Sequence, residues 1–230
     1  MTLFNRAIVL LSLLFASACG VVPVATSPVL TSADQTALQA LENSVQQKQP
    51  IMFQLSPEGD GEVVTVPRNG DEAYADAYTN GDLYFLIGHL ADDWTKDEWT
   101  KFYSVAKWSV QRRFRVILNP VTFVLDLKEA VQNERASVII WSSHADTSGT
   151  IYDAAKRPVP TNIFYEKAGR AKRHYTFSNC YSDLTVNTYS FPVGTQMTHW
   201  TGTTTSGQLF AYLFSDRWNR ALEETLGIKF

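Results

Sequence analysis

The chain has 230 residues, of which 45% are hydrophobic and 19% are charged, and its formal net charge is -3. This length and composition are sufficient for one ordinary hydrophobic core, and a second small lobe is possible but not required. The slightly acidic balance gives no electrostatic reason to expect a nucleic-acid partner, so we exclude that class of function.

Residues 1–18 are predicted to be a signal peptide. Arg6 supplies a positive charge, and Ala7–Phe15 form an apolar stretch that is too short to span a bilayer. Small residues ending in Cys19 follow, a pattern that resembles a bacterial lipoprotein signal. By this resemblance Cys19 becomes the lipid-modified first residue of the mature chain, and the membrane is a partner through that lipid. The alternative is an ordinary secretory peptide cleaved after Ala18.

The environment of the two cysteines gives two further expectations. Gly20 follows Cys19, where enterobacterial lipoproteins retained in the inner membrane have Asp. By that resemblance we expect a lipid-anchored protein of the cell envelope, in the outer membrane if the organism is Gram-negative. A lipid on Cys19 leaves Cys180 without a disulfide partner in the same chain. An unpaired thiol in an exported protein is a candidate reactive group, although free cysteines are also commonly buried in the core.

The segment after Cys19 is predicted to connect the lipid to the folded part. Residues 19–31 contain two prolines and several small residues, which favours an extended tether. Residues 32–80 are predicted to begin with a helix that ends at Gln47. Ser32 and Gln35 have the spacing of a capping box at its start.

A β-hairpin is predicted after this helix. Ile51–Leu55 and Glu62–Val66 flank the turn-rich residues 57–61, and we expect the hairpin to extend an edge of the main sheet. The pattern of Glu72–Tyr78 fits a short helix or a loop. Residues 81–230 are predicted to form the principal domain.

Apolar runs alternate with helical patterns from Gly81 onward, which indicates an α/β fold with a mostly parallel sheet. The predicted strands are Leu83–Ile87, Arg115–Leu118, Ala136–Trp141, His174–Phe177 and Gln196–Thr201, the last of them central. The predicted helices are Thr95–Arg113, Asn119–Asn133 and Ser206–Leu226. Thr95 with Glu98 forms a capping box, and Asn119 followed by Pro120 is typical of a helix start.

Two of these strands each lead to one reactive side chain. Ala136–Trp141 leads to His144, and His174–Phe177 leads to Cys180. If the two strands are parallel neighbours, both side chains lie at the carboxyl edge of one sheet, where open α/β sheets bind ligands. A histidine and a thiol at that edge form a plausible nucleophile and acid/base pair.

This order resembles the caspase-like cysteine peptidases, the group that includes caspases, legumains, gingipains and separases. In those families one apolar strand ends in His-Gly, and a second ends in a small residue followed by Cys, often Cys-x-Ser-Gly. The corresponding residues are Ser143-His144-Ala145 and Asn179-Cys180-Tyr181-Ser182-Asp183. The resemblance implies a three-layer α/β/α sandwich over residues 81–230, with the helix and hairpin as an N-terminal addition.

The resemblance also implies roles for individual residues. Cys180 would be the nucleophile and His144 the general acid that protonates the leaving amine, so the substrate would be a peptide or protein. The backbone N–H groups of Ala145 and Cys180 would form the oxyanion hole. A helix beginning near Ser182 or Asp183 would favour the thiolate of Cys180.

Two acidic residues are candidates for binding substrate. Asp92 and Asp93 lie in the loop after the first strand, from which caspase-like peptidases often take the charge that selects the residue before the scissile bond. By that resemblance they would favour a substrate Lys or Arg. The alternative is that both carboxylates complement the dipole of the helix that begins at Thr95.

Two departures from the family pattern support an alternative function. Ala145 stands where the family has Gly, which places a Cβ where backbone and substrate approach closely. Asp183 stands where Gly is usual, and a carboxylate near the thiol opposes thiolate formation. The alternative is a catalytically inactive caspase-like lipoprotein that acts as a binding or scaffold module in the envelope.

Other candidate chemistry has less support in the sequence. No cofactor is expected, and His89, His174 and His199 lack the spacing of a metal site. His199 is interpreted as a packed or hydrogen-bonded strand residue, and Arg173 as part of a solvated basic loop. The serines near the pair lack a nucleophile elbow, and Trp141 and Trp200 are assigned either to the binding cleft or to the core.

Overall fold

The computed structural model describes residues 30–56, 58, 60–68, 77–89, 94–165 and 172–230. Within them the strands are β1 Ile51–Leu55, β2 Val63–Pro67, β3 Gly81–Ile87, β4 Phe114–Asn119, β5 Ala136–Ser142, β6 His174–Ser178 and β7 Gln196–Thr198. The helices are α1 Ser32–Gln47, α2 Lys96–Gln111, α3 Val124–Gln132, α4 Ser182–Thr188, α5 Ser206–Leu213 and α6 Asp216–Leu226. The predicted signal peptide with Cys19, and the loop carrying Asp92 and Asp93, lie outside the described residues.

The seven strands of the described chain form one mixed sheet in the order β2-β1-β4-β3-β5-β6-β7. Strands β4, β3, β5, β6 and β7 are parallel to one another, whereas β1 is antiparallel to both β2 and β4. The predicted α/β class with a mostly parallel sheet is therefore confirmed. The predicted hairpin is confirmed as well, and it extends the sheet beyond β4.

Successive side chains of the central strands belong alternately to two hydrophobic clusters, one on each face of the sheet. In β3, Leu83, Phe85 and Ile87 belong to one cluster, and Tyr84 and Leu86 belong to the other. Helices α1, α2, α5 and α6 contribute to the first cluster, and α3 contributes to the second. Every residue of β3 and of β5 is buried, which explains why these strands are continuous apolar runs.

Helix α1 has the predicted limits but a different cap. Thr31 is the N-cap, its hydroxyl accepts a hydrogen bond from the N–H of Asp34, and the Asp34 carboxylate accepts from the N–H of Thr31. The predicted cap of Ser32 with Gln35 is therefore wrong by one residue. Asp34 also accepts hydrogen bonds from Tyr103 and Lys107 of α2. Its pKa lies well below the usual range because these bonds outweigh the effect of burial, which raises it.

The helix predicted at Asn119 starts later, at Val124. Asn119 is the last residue of β4, where it pairs with Leu86 of β3, and its side chain accepts a hydrogen bond from the N–H of Val121. Asn-Pro marks a turn after a strand as well as a helix start, and here sheet pairing decides between the two. The capping box of Thr95 with Glu98 on α2 is confirmed.

The C-terminal part differs from the prediction at two places. Strand β7 ends at Thr198 and pairs only with β6, so it is an edge strand and not a central one. The predicted single helix is divided into α5 and α6 at Phe214 and Ser215. An unbroken helix would turn Asp216 and Arg217 towards the core after Leu213. The break lets Trp218 take that place, and Trp218 is fully buried.

Arg173 is not part of a solvated loop, because it is 4% exposed. Its guanidinium donates to the carbonyl oxygens of Val131, Asn133 and Ala136 and to the hydroxyl of Tyr175. Sequence charge patterns cannot distinguish this arrangement from a solvated cation. Among the helices of the described ranges, none combines the length and the apolar character needed to cross a bilayer.

Candidate active site

Strands β5 and β6 bring the predicted pair to one edge of the sheet. They are parallel neighbours, and Ser142 of β5 is in register with Ser178 of β6. The N–H of Ser143 donates to the carbonyl oxygen of Ser178 at 3.2 Å, so the alignment continues beyond the strands. His144 and Cys180 each follow that register pair by two residues. The prediction that the strands before His144 and Cys180 are parallel neighbours is therefore confirmed. Neighbouring strands of a sheet lie about 4.8 Å apart.

The end of β3 completes this edge from the other side. The N–H of Gly88 donates to the carbonyl oxygen of Ser142 at 2.7 Å. A Cβ on Gly88 would lie 2.5 Å from the Trp141 ring and 2.9 Å from the Cβ of Ser143. Glycine is required at this point because two loops and the indole approach so closely. Trp141 is accordingly a core residue, and its Nε1–H donates to the Ser143 hydroxyl at 2.6 Å.

A cavity of about 520 Å³ opens beside His144. Its described lining consists of Gly88, His89, His144, Tyr152, Asp153, Ala154 and Lys156. The rings of His89 and His144 are 5.5 Å apart between centroids. Cys180 is not among the described lining residues, so the cavity lies on the β3 side of His144 and the thiol belongs to the β6 side.

The loop after β5 positions His144, whose side chain is exposed. Ala145 and Ile151 form an antiparallel bridge in which the N–H of Asp146 donates to the carbonyl oxygen of Thr150, and the N–H of Tyr152 donates to that of His144. The Asp146 carboxylate accepts hydrogen bonds from Ser148, Thr150 and Tyr152. The bond from Ser148, helped by the others, lowers the pKa of Asp146 to about 2. The loop is therefore organised around a carboxylate that is charged at neutral pH.

This loop also rests directly on α4. Gly149 has φ +82°, and a Cβ there would lie 2.5 Å from the backbone of Leu184. The hydroxyl of Thr188 donates to the carbonyl oxygen of Ser148 at 2.8 Å. Because α4 follows Cys180 in the chain, these contacts fix the His144 loop relative to the Cys180 loop.

Cys180 is half-buried in a turn between β6 and α4. Asn179 is 1% exposed, and its amide donates to the carbonyl oxygen of Cys180 at 3.0 Å and to the hydroxyl of Thr185 at 2.9 Å. Tyr181 has φ 56° and ψ 37°, a left-handed conformation that is uncommon for a residue with a side chain and is often found at functional sites. Helix α4 begins at Ser182, as predicted.

The segment after β7 supports the Cys180 turn. The N–H of Tyr181 donates to the carbonyl oxygen of Gly202. The Ser182 hydroxyl accepts from the N–H of Trp200 at 2.7 Å and donates to its carbonyl oxygen at 3.1 Å. Trp200 therefore helps to hold the Cys180 turn through its backbone, while its ring packs edge-on against Tyr212.

The two amides predicted to form the oxyanion hole have no acceptor within the described part of the chain. The hydrogen bonds of the bridge between Ala145 and Ile151 are donated by Asp146 and Tyr152, the residues that follow the two partners, so the N–H of Ala145 lies outside the bridge. The N–H of Cys180 likewise donates to none of the described residues. Most buried or partly buried amides are paired, so two unpaired amides beside a thiol and an imidazole are available to a ligand.

A tight turn forms the far wall of the cavity. The Asp153 side chain is buried, and its carboxylate accepts from the N–H groups of Val124, Ala155 and Arg157 and from the Arg157 guanidinium. Burial raises the pKa of Asp153, but the bonds from Arg157 outweigh it and the pKa is lowered. Lys156 lies in this turn with φ 59°.

The remaining histidines do not join the site. His174 is buried between the hydroxyls of Thr198 and Thr225, at 3.1 and 3.2 Å, and burial lowers its pKa to about 4. His199 is exposed beyond the end of β7, so its interpretation as a packed strand residue is wrong. Over the ranges that the structure covers, no group of three or more His, Cys, Asp or Glu side chains could hold a metal ion.

Sequence reasoning missed two residues of this edge. His89 follows the end of β3 by two residues, as His144 follows the end of β5, so strand-end position could have identified it. Lys156 has no such pattern, because it reaches the cavity through a loop whose path is set by Asp153. The predicted substrate-binding residues Asp92 and Asp93 lie outside the described residues.

Comparisons with known proteins give no relative from which a function could be transferred, since no family model, no curated protein and no solved structure matches the chain.

Proposed function

We propose that the protein is a lipid-anchored cell-envelope peptidase with a caspase-like, three-layer α/β/α domain. The observation that carries the proposal is the position of His144 and Cys180, each two residues beyond an in-register pair on neighbouring parallel strands. Carboxyl edges of parallel sheets are the usual ligand sites of α/β proteins. The cavity beside His144 offers space for a substrate side chain.

The proposed reaction is cleavage of a peptide bond through a thioester. The sulfur of Cys180 forms a bond to the substrate carbonyl carbon, and the developing oxyanion is bound by the N–H groups of Ala145 and Cys180. The C–N bond then breaks, and the leaving amine takes up the thiol proton through His144. Water hydrolyses the thioester, which releases the carboxylate and restores the thiol.

A non-enzymatic binding module is the second candidate. In the described residues, Oδ1 of Asp183 is buried without a hydrogen-bond partner, and Asp183 is three residues from the thiol. A carboxylate at this place, where caspase-like peptidases usually have Gly, departs from their catalytic pattern. In that case the same edge of the sheet would hold a peptide without cleaving it.

Thiol labelling distinguishes the two candidates. We expect a peptidyl electrophile to label Cys180 faster than it labels free cysteine, and Cys180→Ala to abolish this fast labelling. His144→Ala should lower peptide hydrolysis at least about 100-fold, since positioned acid/base groups contribute about 10² to 10⁴. His199→Ala is the matched control, because His199 is an exposed histidine outside the cavity. Labelling no faster than for free cysteine, with no hydrolysis, would support the binding module.

The lipid anchor has its own test. Metabolic labelling with a radioactive fatty acid should modify the wild-type chain, and Cys19→Ser should abolish the label. Cys180→Ser serves as the control, and it should keep the label. A modified Cys19→Ser chain would contradict the anchor.

A further inference from the structure

We infer that the outer edge of β2 binds a second copy of this chain. The two β2 strands pair antiparallel about a two-fold axis that passes between the two Thr65 residues, perpendicular to the sheet. The inference is independent of the proposed peptidase, because three strands, β1, β4 and β3, separate β2 from β5 in the sheet. The interface joins the sheets of the two copies into one continuous sheet.

The outer edge of β2 carries backbone groups that have no partner among the described residues. Strand β2 is the last in the order of the sheet. At the hairpin end of the β1–β2 ladder, the N–H of Ser56 donates to the carbonyl oxygen of Glu62. Because bonded and open positions alternate along an antiparallel ladder, the odd-numbered residues of β2 point their backbone groups outward. These residues are Val63, Thr65 and Pro67.

Pro67 fits this alternation and restricts the partner strand. Proline has no N–H, and an edge strand tolerates it where that N–H would point away from the ladder. The outward donors of β2 are therefore the N–H groups of Val63 and Thr65. A second β2 centred on Thr65 satisfies both donors. Each Thr65 N–H donates to the other Thr65 carbonyl oxygen, and each Val63 N–H donates to the carbonyl oxygen of the other Pro67.

The side chains of β2 are complementary to a second copy in the same register. Glu62 and Arg68 lie equally far from Thr65 on opposite sides, so the pairing places Glu62 of one copy opposite Arg68 of the other. It also places Val64 opposite Val66, and both valines are only half-buried in the single chain. Opposite charges, paired threonines and paired β-branched side chains are favourable cross-strand contacts. The strand is therefore complementary to itself in charge as well as in hydrogen bonding.

The described residues on either side of segment 69–76 contact the inner side of β2. The Arg68 guanidinium donates to Glu129 of α3, and it has further N–H groups for a second carboxylate. The Tyr78 hydroxyl accepts a hydrogen bond from the N–H of Leu55 in β1 at 2.9 Å. Both contacts lie away from the outer edge, so the described structure leaves that edge accessible.

Helix α1 leaves room for the second copy beside β2. Two cavities of about 300 and 340 Å³ lie between α1 and β2, and Thr65 lines both of them. Every α1 residue that lines them is uncharged, and Ala33, Thr36 and Ala40 among them are small. The two-fold axis keeps both α1 helices on the same face of the joined sheet. Their facing surfaces therefore bring no like charges together.

Sedimentation equilibrium of the full chain in a density-matched detergent tests the inference. We expect the wild type to dimerise. Thr65→Pro should raise the Kd of the dimer at least about 10-fold, because it removes the two central hydrogen bonds and keeps those to β1. Thr65→Val is the matched control at the same position, since it retains the N–H, and it should keep the dimer. Far-UV circular dichroism checks that both variants fold.

A mixing experiment tests the register and does not depend on the folding of Thr65→Pro. Glu62→Lys and Arg68→Glu each place like charges across the axis of their own dimers, so each alone should dimerise about 10-fold more weakly. Mixed together, they should form a heterodimer as tight as the wild-type dimer, because every cross-strand pair again has opposite charges. Glu224→Lys controls for net charge, since Glu224 is exposed on α6, and it should dimerise like the wild type.

Three results would overturn the inference. The first is a wild-type chain that stays monomeric at about 100 μM, whichever other chain the edge then binds. The second is a dimer that both charge variants and a folded Thr65→Pro leave unchanged, because it forms through another surface. The third is a failure of the two charge variants to recover on mixing, because it excludes the antiparallel pairing centred on Thr65.

Discussion

The two ends of the parallel strands differ in how completely their polar groups are paired. At the amino ends, Asp82 of β3 is fully buried and receives hydrogen bonds from Arg115 at 2.8 and 3.0 Å and from Asn133 at 3.0 Å. Arg173, just before β6, donates to four acceptors. Charged groups there are buried because each has a defined partner.

The carboxyl ends show the opposite pattern. His144 is exposed, Cys180 is half-buried, and the N–H groups of Ala145 and Cys180 have no acceptor in the described chain. Tyr181 holds a left-handed backbone conformation at the same end. The paired charges at the amino ends contribute to stability, whereas the unpaired groups and the strained backbone at the carboxyl ends are the features expected of the proposed ligand site.

The largest expected effect comes from removing the buried carboxylate at the amino ends of the strands. Asp82→Ala should lower the free energy of unfolding by about 3–5 kcal/mol, because it leaves the buried Arg115 guanidinium without its carboxylate partner. Urea denaturation measures the change. Glu129→Ala is the control, since it removes an ion pair with Arg68 in which Glu129 is 63% exposed, and it should cost less than about 1 kcal/mol. Equal costs would remove the distinction between buried and exposed pairs.

His174 predicts a dependence of stability on pH. Its folded-state pKa is about 4, below the value of 6.5 for the unfolded chain, so the unfolded state binds more protons between these values. Its contribution is therefore complete above pH 6.5 and is lost as the pH falls towards 4, by roughly 3 kcal/mol. Urea denaturation at pH 7 and pH 4.5 should show the loss in the wild type. His174→Gln should show a smaller difference, and an unchanged difference would contradict the assignment.

Gly88→Ala disturbs the carboxyl ends. Its Cβ would contact Trp141 and Ser143, so we expect a loss of about 1–3 kcal/mol in the free energy of unfolding and slower labelling of Cys180. Gly207→Ala is the matched control, because its nearest contact is at 3.6 Å and a helical alanine stabilises by up to about 1 kcal/mol. Similar stability changes in both variants would show that the contact at Gly88 is not restrictive.

The smallest effect concerns the link between the two loops of the site. Thr188→Val removes the hydrogen bond to Ser148 and should cost about 1 kcal/mol, while the labelling rate of Cys180 falls. Thr100→Val removes a similar bond within α2 and has no such link, so it should leave labelling unchanged. A labelling rate that is equal in both variants would mean that this bond does not position the site.

Local sequence patterns were sufficient to predict an element where the pattern fits only one kind of structure. The apolar runs that precede His144 and Cys180 are strands because each is buried on both faces, and the capping box at Thr95 starts α2 as predicted. Local patterns were insufficient where the same residues fit two kinds of structure. Asn119 and Pro120 fit both a helix start and a strand end, and the pairing of Asn119 with Leu86 selects the strand.

The sequence alone determined that a histidine and a cysteine each follow a buried strand, because burial on both faces leaves a continuous apolar run that can be read directly. Only the tertiary structure decided which residues surround them. His89 and Lys156 reach the cavity from segments 55 and 12 residues away from His144 along the chain, a result of strand order and of the turn organised by Asp153. Contacts between distant segments depend on packing and hydrogen bonding across the whole sheet, and a local pattern carries no record of them.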